Sequence, residues 1–192
     1  MLVDIEKIKI AKTKYIGKHI EYFNEIDSTQ TEAKRNVEKY KNGTVIIADM
    51  QTAGKGTHGR IWYTKTNNIA MTIILKPEIN IQQLKGFTVA IAEDIQLAIN
   101  ELYGINLKIK LPNDLLLNNK KICGILTEVI TIKETVKEIF IGIGFNVYER
   151  KFTTDIENTA TSLYKEAKNV YCREDIICKI LEYIEQEIEK RI

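Results

Sequence analysis

The chain has 192 residues, of which 44% are hydrophobic and 28% charged, and this composition predicts one globular domain over residues 1–192. Its formal net charge of +2 excludes the strongly basic surface typical of nucleic-acid-binding proteins, and no apolar run is long enough to cross a bilayer. The chain has three cysteines, no CxxC pair and no signal-peptide core, which favours reduced thiols and a cytoplasmic location.

The first elements predicted are an arm, a strand and a helix. Residues 1–18 are rich in lysine and isoleucine and predict a short helix or arm. Residues 19–26 alternate apolar and polar side chains, as in a half-buried strand. Thr29 as N-cap and Glu32 three residues later form a capping-box pattern, which predicts a helix that runs to about Tyr40.

A glycine-rich, basic loop at residues 48–62, here called the glycine loop, follows a strand predicted at residues 44–49. Its alternating glycines and cations are Gly54, Lys55, Gly56, His58, Gly59 and Arg60. Glycine lets a ligand approach the backbone closely, and backbone N–H groups beside a cation bind phosphate or carboxylate. The glycine loop therefore predicts an anion-binding site, with a mobile surface hairpin as the alternative.

Three generic motifs share this glycine spacing, and the flanking sequence excludes each of them. A dinucleotide-binding loop opens a helix, whereas residues 61–75 predict a turn and a strand. A Walker A loop ends in Gly-Lys-Ser/Thr, whereas Arg60 and Ile61 follow Gly59. A kinase glycine loop requires His-Arg-Asp and Asp-Phe-Gly motifs, which the sequence does not contain.

The remaining chain predicts one long helix over residues 81–103, a run of strands over residues 106–147 and a polar loop over residues 149–159. Two further helices are predicted over residues 160–167 and 173–191. Strands in a run, with helices grouped rather than alternating with them, predict an α+β fold.

The predicted strand region also carries polar and glycine residues with two possible roles. Asn113 and Asp114 follow a proline, so they either form only a turn or present ligand contacts. Lys121 near a predicted hairpin is either a solvated charge or a functional cation. Gly142 and Gly144 interrupt a strong strand, which often marks the close approach of a ligand or another backbone.

Four motifs occur in a fixed order along the chain. They are Asp27-Ser-Thr-Gln30, Gln51-Thr-Ala-Gly-Lys-Gly-Thr-His-Gly-Arg60, Lys110-Leu-Pro-Asn-Asp114 with Lys121-Ile-Cys-Gly-Ile-Leu-Thr-Glu128, and Ile141-Gly-Ile-Gly-Phe-Asn146. Each motif is weak alone, but the ordered set resembles the catalytic domain of biotin protein ligases, also called biotin–[acetyl-CoA-carboxylase] ligases. The resemblance implies a class II aminoacyl-tRNA synthetase-like fold, with a mixed, largely antiparallel sheet flanked by helices.

The resemblance implies a two-step acyl transfer. Biotin and ATP would give biotinyl-5′-adenylate and pyrophosphate, and a lysine of a biotin carboxyl carrier domain would then take the biotinyl group. The first step brings a carboxylate against a triphosphate, so the site needs cations and Mg²⁺ to offset the negative charge. Neither nucleic acid nor a membrane is an expected partner, and a monomer and a homodimer both fit.

The resemblance also implies roles for individual residues. The expected biotin-binding residues are Ser28, Thr29, Gln30, Gln51, Gly54, Lys55, Gly56, Thr57, Lys121, Gly124, Gly142 and Gly144. The expected ATP-binding residues are Arg60, Trp62, Asn113, Asp114, Lys121 and Asn146. Lys121 is the expected catalytic residue and Asp114 the expected transient Mg²⁺ ligand. Trp62 either packs on the ordered glycine loop or belongs to the core, and Cys123 is expected to be a core residue.

Some positions depart from the family pattern. The family loop usually reads Gly-Arg-Gly-Arg-x-Gly-Arg, and Lys55 and Thr57 stand here at its first two arginines. Lysine loses the planar fork of arginine, and Thr57 loses the charge, so the sequence predicts weaker retention of the adenylate. Leu111 stands at the usual tryptophan of the Lys-Trp-Pro-Asn-Asp motif, and Gln30 at the usual asparagine of the Ser-Thr-Asn triplet.

The extent of the chain predicts the catalytic domain without the flanking domains of many relatives. The arm is too short for a helix-turn-helix domain, so repressor activity is not expected, and no C-terminal β-barrel domain is predicted. A natural minimal ligase, a shortened chain and a degenerate paralogue all fit this extent. Two other functions stay open, namely a lipoate ligase and a non-catalytic module that binds biotin or its adenylate.

Overall fold

The computed structural model describes residues 3–65 and 67–191, and within them the chain forms five α-helices and one eight-stranded sheet. The helices are α1 (Ile5–Lys9), α2 (Thr29–Arg35), α3 (Phe87–Tyr103), α4 (Leu163–Ala167) and α5 (Arg173–Glu189). The strands are β1 (Ile20–Ile26), β2 (Val45–Gln51), β3 (Ile69–Leu75), β4 (Ile79–Asn80), β5 (Lys108–Lys110), β6 (Asp114–Leu117), β7 (Lys120–Ile132) and β8 (Thr135–Phe145). None of the described helices is long and apolar enough to span a bilayer.

The sheet is mixed and largely antiparallel, as predicted. Its strand order is β1-β2-β3-β8-β7-β6-β5, and β4 pairs separately with β8. The β1–β2 pair is parallel and the other pairs are antiparallel. The central strands read as nearly continuous apolar runs because helices cover both of their faces.

The two faces of the sheet bury two separate apolar clusters. Alternate side chains of a strand point to opposite faces, so Ile46, Ile74 and Phe140 pack with Ala33 of α2 on one side. The opposite side buries the larger core, in which α3 and α5 contribute most of the helical side chains. The thin α2 layer leaves room for a cleft on its side of the sheet.

The predicted start of α2 is wrong by one residue, and the capping box is not formed. The N-cap is Ser28, whose hydroxyl accepts a hydrogen bond from the third residue of the helix. The backbone N–H and the hydroxyl of Thr29 point instead to Gln51 Oε1, at 2.8 Å and 3.2 Å. Glu32 binds the Tyr40 hydroxyl rather than the cap. Thr29 and Glu32, which the local pattern assigned to capping, therefore make tertiary contacts with Gln51 and Tyr40 instead.

The long helix α3 begins later than predicted. The chain before it forms a 3-10 turn over Ile81–Leu84, which Asn80 and Gln83 cap reciprocally. Gly86 then adopts a left-handed conformation with φ of 75°, so the turn and the helix cannot be continuous. The predicted end is confirmed, because Gly104 is the left-handed C-cap.

The predicted helix over residues 160–167 also begins late, at Leu163. The residues before it are extended, because Lys121 N–H donates to Thr159 O at 2.7 Å and Thr161 N–H donates to Lys121 O at 2.8 Å. The last helix ends at Glu189 rather than at residue 191. The extended stretch holds the polar loop before α4 against β7.

The N-terminal arm forms α1, and the residues after it lie against α5; residues 1 and 2 of the predicted arm lie outside the described part. The buried carboxylate of Glu185 accepts the backbone N–H groups of Lys14, Tyr15 and Ile16. A single side chain of α5 thus holds three consecutive backbone donors of the arm.

Candidate functional site

A cleft of about 520 Å³ lies on the α2 side of the sheet, within the size range of small-molecule sites. Its walls come from the start of α2, the glycine loop, strands β3, β6, β7 and β8, and the loop before α4. The predicted site residues that line it are Ser28, Thr29, Gln30, Gln51, Lys55, Gly56, Thr57, Arg60, Trp62, Asn113, Asp114, Lys121, Gly124, Gly142, Gly144 and Asn146. The structure thus gathers residues that are more than 100 positions apart in the sequence.

Gly54 is the one predicted site residue outside the lining. A Cβ atom there would overlap the carbonyl oxygen of Trp62 and lie 2.8 Å from Gln51 Nε2. The N–H of Trp62 donates to Gly54 O at 3.0 Å. Gly54 therefore allows the glycine loop to fold back on itself, while its expected contact with biotin stays a prediction.

The glycine loop forms a hairpin whose tip is a single 3-10 turn, Thr57–Gly59. His58 and Gly59 have positive φ values of 56° and 73°. The Arg60 guanidinium donates to Thr57 Oγ1 at 2.8 Å and to Thr57 O at 3.2 Å. Thr57, which replaces a family arginine, thus holds the next cation of the loop by a hydrogen bond.

One end of the cleft, here called the polar end, consists of Ser28, Thr29, Gln30, Gln51 and Thr72. These side chains are buried except that of Gln51, which is half-buried. Gln51 accepts from Thr29 N–H and donates through Nε2 to Thr64 Oγ1 at 3.0 Å, so the orientation of its amide is fixed. Thr72, which the sequence analysis missed, has its Oγ1 2.9 Å from that of Thr29. Several buried hydrogen-bond donors and acceptors lie together at this end, which suits a ligand that carries polar groups.

The charged centre of the cleft is an ion pair between Lys121 and Asp114. Their Nζ and Oδ1 atoms are 2.7 Å apart, and the side chains are 30% and 14% exposed. The two residues meet because β6 pairs with β7 so that Lys121 lies opposite Leu116, two residues along the strand from Asp114, and side chains two residues apart on a strand share a face. Lys121 Nζ also lies 5.5 Å from the centroid of the Trp62 ring. The predicted catalytic lysine is therefore a partly buried cation that faces the cleft.

The Trp62 ring lies in the cleft, over the glycines of β7 and β8. A Cβ atom on Gly144 would overlap the indole ring, and one on Gly124 would lie 3.0 Å from it. A Cβ atom on Gly142 would lie 2.6 Å from Gln30 Oε1. The glycine positions that the sequence analysis assigned to ligand space are thus approached by protein side chains in this structure.

The side-chain amides of Asn113 and Asn146 hold the walls of the cleft. Asn113 Nδ2 donates to the carbonyl oxygen of Ile125 at 3.0 Å, and Asn146 Nδ2 donates to that of Thr161 at 3.0 Å. Each amide therefore ties a loop to the sheet, and the expected contacts with ATP stay predictions.

Cys123 is next to the charged centre but points into the core. It is fully buried, and burial raises the pKa of its thiol. Its burial confirms the predicted role as a core residue. A reactive cysteine needs thiolate character, which a raised pKa disfavours.

The loop before α4 forms a further wall of the cleft, although the sequence predicted it only as a polar loop. The lining residues of that loop are Glu149, Lys151, Phe152, Thr153, Ile156, Asn158, Thr159 and Ala160. The available signal was its position directly after the motif that ends at Asn146. The cleft also includes Lys110 of the Lys-Leu-Pro-Asn-Asp motif.

The cleft fits a metal ion only as a companion of a phosphate-bearing ligand. Among residues 3–65 and 67–191, no group of three or more His, Cys, Asp or Glu side chains is placed to hold a metal ion. Mg²⁺ commonly binds through one or two carboxylates together with waters and substrate phosphates. Asp114, which is largely buried and beside Lys121, can serve as such a carboxylate.

Residues 22–146 match the model of the biotin/lipoate A/B protein ligase family. The chain is 37% identical to the bifunctional ligase/repressor BirA of Bacillus subtilis over 174 residues, which cover 88% of this chain and 54% of BirA. It is 35% identical to biotin–[acetyl-CoA-carboxylase] ligase of Paracoccus denitrificans over 124 residues, which cover 63% of this chain and 51% of that protein. The chain thus spans about half the length of these curated relatives.

Among solved structures, the fold is similar to that of biotin protein ligase from Aquifex aeolicus in complex with biotin and ATP. The TM-score is 0.77 at 30% identity, and the match covers 90% of this chain and 71% of that chain. The match confirms the fold that the ordered motifs predicted.

Proposed function

The chain belongs to the biotin/lipoate A/B protein ligase family, and from this membership we propose that it is an ATP-dependent biotin ligase. A biotin carboxylate oxygen attacks the α-phosphorus of ATP, which forms biotinyl-5′-adenylate as pyrophosphate leaves. The amine of an acceptor lysine then attacks the acyl carbon, and AMP leaves. The observation that carries the proposal is the partly buried Lys121–Asp114 pair in one cleft with the polar end.

Lys121 provides the positive charge that the first step needs. A carboxylate and a triphosphate repel each other, and a fixed cation in a partly desolvated cleft offsets this repulsion more than a solvated one does. Asp114 holds Nζ of Lys121 at the cleft wall, so little reorganisation is needed when the substrates bind. Lys121 therefore bridges the biotin carboxylate and the α-phosphate in the proposed mechanism.

The polar end supports biotin as the acyl substrate. The ureido ring of biotin carries N–H donors and a carbonyl acceptor, which can pair with the hydroxyls of Ser28 and Thr29 and the amide of Gln51. The dithiolane ring of lipoate has neither, so its binding would leave buried polar groups unpaired at a cost of about 1–3 kcal/mol each. The polar end thus favours a biotin ligase over a lipoate ligase.

The opposite part of the cleft is the proposed ATP site. Its proposed contacts are Arg60 and Trp62 of the glycine loop with Asn113, Asp114 and Asn146, all of which line the cleft. Mg²⁺ bound to the phosphates and to Asp114 would supply further charge neutralisation. The proposed acceptor is a lysine of a biotin carboxyl carrier domain, because the Paracoccus relative is named for acetyl-CoA carboxylase.

The proposal is tested by mass spectrometry of the reaction products. The chain is incubated with ATP and Mg²⁺ and with either biotin or lipoate, and a carrier domain is then added. Biotinyl-5′-adenylate and a biotinylated carrier are expected, with no lipoyl product. Formation of a lipoyl adenylate at equal or greater yield would contradict the proposal, and binding of biotin without any adenylate would indicate the non-catalytic module.

A further inference from the structure

Gln30 lies between the cleft and a carboxylate that does not line it. The Gln30 side chain is 4% exposed, and its Nε2 donates to Glu128 Oε2 at 2.9 Å and to Phe140 O at 3.4 Å. Its Oε1 accepts from Thr72 Oγ1 at 3.1 Å. Glu128 is on β7, outside the lining of the cleft, and its other oxygen accepts from Lys34 Nζ at 2.9 Å.

Glu128 is the nearer of the two acceptors that set which end of the Gln30 amide faces the cleft, and the Phe140 carbonyl oxygen is the other. Burial raises the pKa of the Glu128 carboxyl, but the hydrogen bonds from Gln30 and Lys34 outweigh burial and hold this pKa below its usual value. An ionised carboxylate only accepts hydrogen bonds, so the NH₂ group of Gln30 must point towards it. Both amide protons then face Glu128 and Phe140, and the carbonyl oxygen is left for Thr72 and the cleft.

The orientation of the Gln30 amide also fixes the direction of the hydrogen bonds at Thr72 and Thr29. Because Gln30 Oε1 has no proton, the Thr72 hydroxyl must be the donor in their hydrogen bond. The Thr72 oxygen can therefore only accept from the Thr29 hydroxyl, which lies 2.9 Å away. The Thr29 proton then points to Thr72 rather than to Gln51 Oε1 at 3.2 Å, and a lone pair of Thr29 remains for a ligand. The polar end consequently presents acceptor oxygens from Gln30 and Thr29.

We propose that Glu128 is a positioning residue that acts through Gln30 and Thr72 to keep the polar end an acceptor of N–H groups. The polar end then binds an acyl substrate more tightly when its ring carries N–H donors, as a cyclic urea does, than when its ring contains only carbon and sulfur. The inference rests on the proposed function and deepens it. Sequence spacing gave no sign of this role, because Glu128 and Gln30 are 98 positions apart.

The test uses Glu128→Gln, which keeps the size of the side chain and removes its charge. The Lys34 ammonium attracts the oxygen of the new amide, so the new NH₂ group faces the NH₂ group of Gln30. Gln30 then keeps only its longer contact with the Phe140 carbonyl oxygen, at 3.4 Å, and we expect it to turn over and present donors to Thr72 and the ligand. We expect the Kd of biotin, measured by calorimetry on the full chain, to rise about 10- to 100-fold, with the Kd of ATP within about twofold.

A second substitution distinguishes orientation from a merely structural role. Lys34→Ala alone should leave the Kd of biotin nearly unchanged, because Glu128 keeps its charge. In the double variant Lys34→Ala/Glu128→Gln, no ammonium attracts the amide oxygen, which can face Gln30 again. The double variant should therefore recover biotin binding to within about threefold of wild type. Glu78→Gln, which removes the carboxylate of the distant pair with Lys137, is the matched control and should change nothing.

Each outcome decides the inference. Wild-type binding in Glu128→Gln, or a double variant as weak as Glu128→Gln, would overturn it. If Glu128→Gln unfolds while the double variant folds and binds biotin, the orientation argument is supported through stability, and if both unfold it is overturned. A wild-type chain that binds no biotin would instead refute the proposed function, so the two failures are distinguishable.

Discussion

Lys121, Thr57 and Trp62 illustrate how much of the proposed chemistry depends on single side chains and their nearest partners. Lys121 is held by Asp114 on the adjacent strand. Thr57 holds Arg60 within the glycine loop, and the Trp62 ring rests on Gly144. At the residue scale, each of these contacts can be changed by one substitution that leaves the sheet intact.

Thr57→Arg should slow the release of biotinyl-5′-adenylate. The substitution restores a family cation and also frees the Arg60 guanidinium from the Thr57 hydroxyl. Two additional charge-assisted contacts to the phosphate should lower the dissociation rate by about tenfold or more. The measurement is stopped-flow release of preformed adenylate, with Thr57→Val as the uncharged control. Equal rates for wild type and Thr57→Arg would contradict the prediction.

Gly144→Ala should displace the Trp62 ring and weaken ligand binding. The new methyl group would overlap the indole ring, whereas the corresponding gap at Gly124 is 3.0 Å. Trp62 is the only tryptophan in the chain, so its fluorescence reports on the cleft alone. We expect a red shift of emission in Gly144→Ala and a smaller one in Gly124→Ala. An unchanged spectrum in Gly144→Ala would show that the ring does not rest on this glycine.

At the scale of elements, buried carboxylates determine how α5 packs against its neighbours. Glu185 of α5 binds the arm through three backbone donors. Asp49 of β2 pairs with Arg173 at the start of α5 at 2.9 Å, and both side chains are buried. Asp94 of α3 is buried, and its pKa is raised by that burial and by the charge of Glu187 on α5. The Glu185 and Asp49 contacts join α5 to the arm and to β2 at defined positions.

Glu185→Ala should destabilise the fold and release the arm. Three N–H groups would lose their acceptor, and the loss of such buried hydrogen bonds costs about 3 kcal/mol in total. Urea unfolding and limited proteolysis of residues 1–18 measure the two effects. Glu189→Ala, which removes an exposed ion pair with Lys14, is the control and should cost less than about 1 kcal/mol. Equal stability of the two variants would contradict the assignment.

Asp94 should make the stability of the chain depend on pH. Burial, with the nearby Glu187 charge, raises the pKa of Asp94 from 3.8 to about 7. The folded state therefore binds the proton more tightly than the unfolded state, so the free energy of unfolding falls as pH rises from about 4 to about 7.

Asp94→Asn should remove this component of the pH dependence. The variant should therefore gain stability relative to wild type across this window, with each unit of pKa worth about 1.4 kcal/mol. Urea unfolding at pH 4, 5.5 and 8 measures the difference, with Asp155→Asn in the exposed loop as control. A difference that does not change with pH would refute the prediction.

At the scale of the whole molecule, sequence and structure agree where local pattern and tertiary packing act together. The predicted run of strands over residues 106–147 contains β5 to β8, and α5 ends two residues before its predicted end, whereas α3 begins at Phe87 rather than at residue 81. The left-handed Asn118 and Asn119 confirm the hairpin predicted between β6 and β7. The start of α2 was predicted wrongly, because Thr29 exchanges its capping role for a contact with Gln51 across the cleft.

The candidate site was predictable where a motif carried the residues and not where only the fold brings them together. The ordered motifs identified the charged centre, the glycine loop and most of the polar end. Thr72 lies inside an apolar strand and had no local signal, and the loop before α4 had only its position after the motif that ends at Asn146. The contact of Glu128 with Gln30 depends on the packing of α2 against the sheet and on the pairing of β7 with β8, which no spacing rule contains.

The measurement that tests the central claim most directly is pyrophosphate release from ATP and Mg²⁺ with and without biotin. Wild type, Lys121→Ala and Lys120→Ala are compared on the full chain, since Lys120 is the neighbouring lysine outside the lining of the cleft. We predict release that requires biotin in wild type and in Lys120→Ala, and a loss of about 100-fold or more in Lys121→Ala. Release that does not depend on biotin, or full activity of Lys121→Ala, would contradict the account.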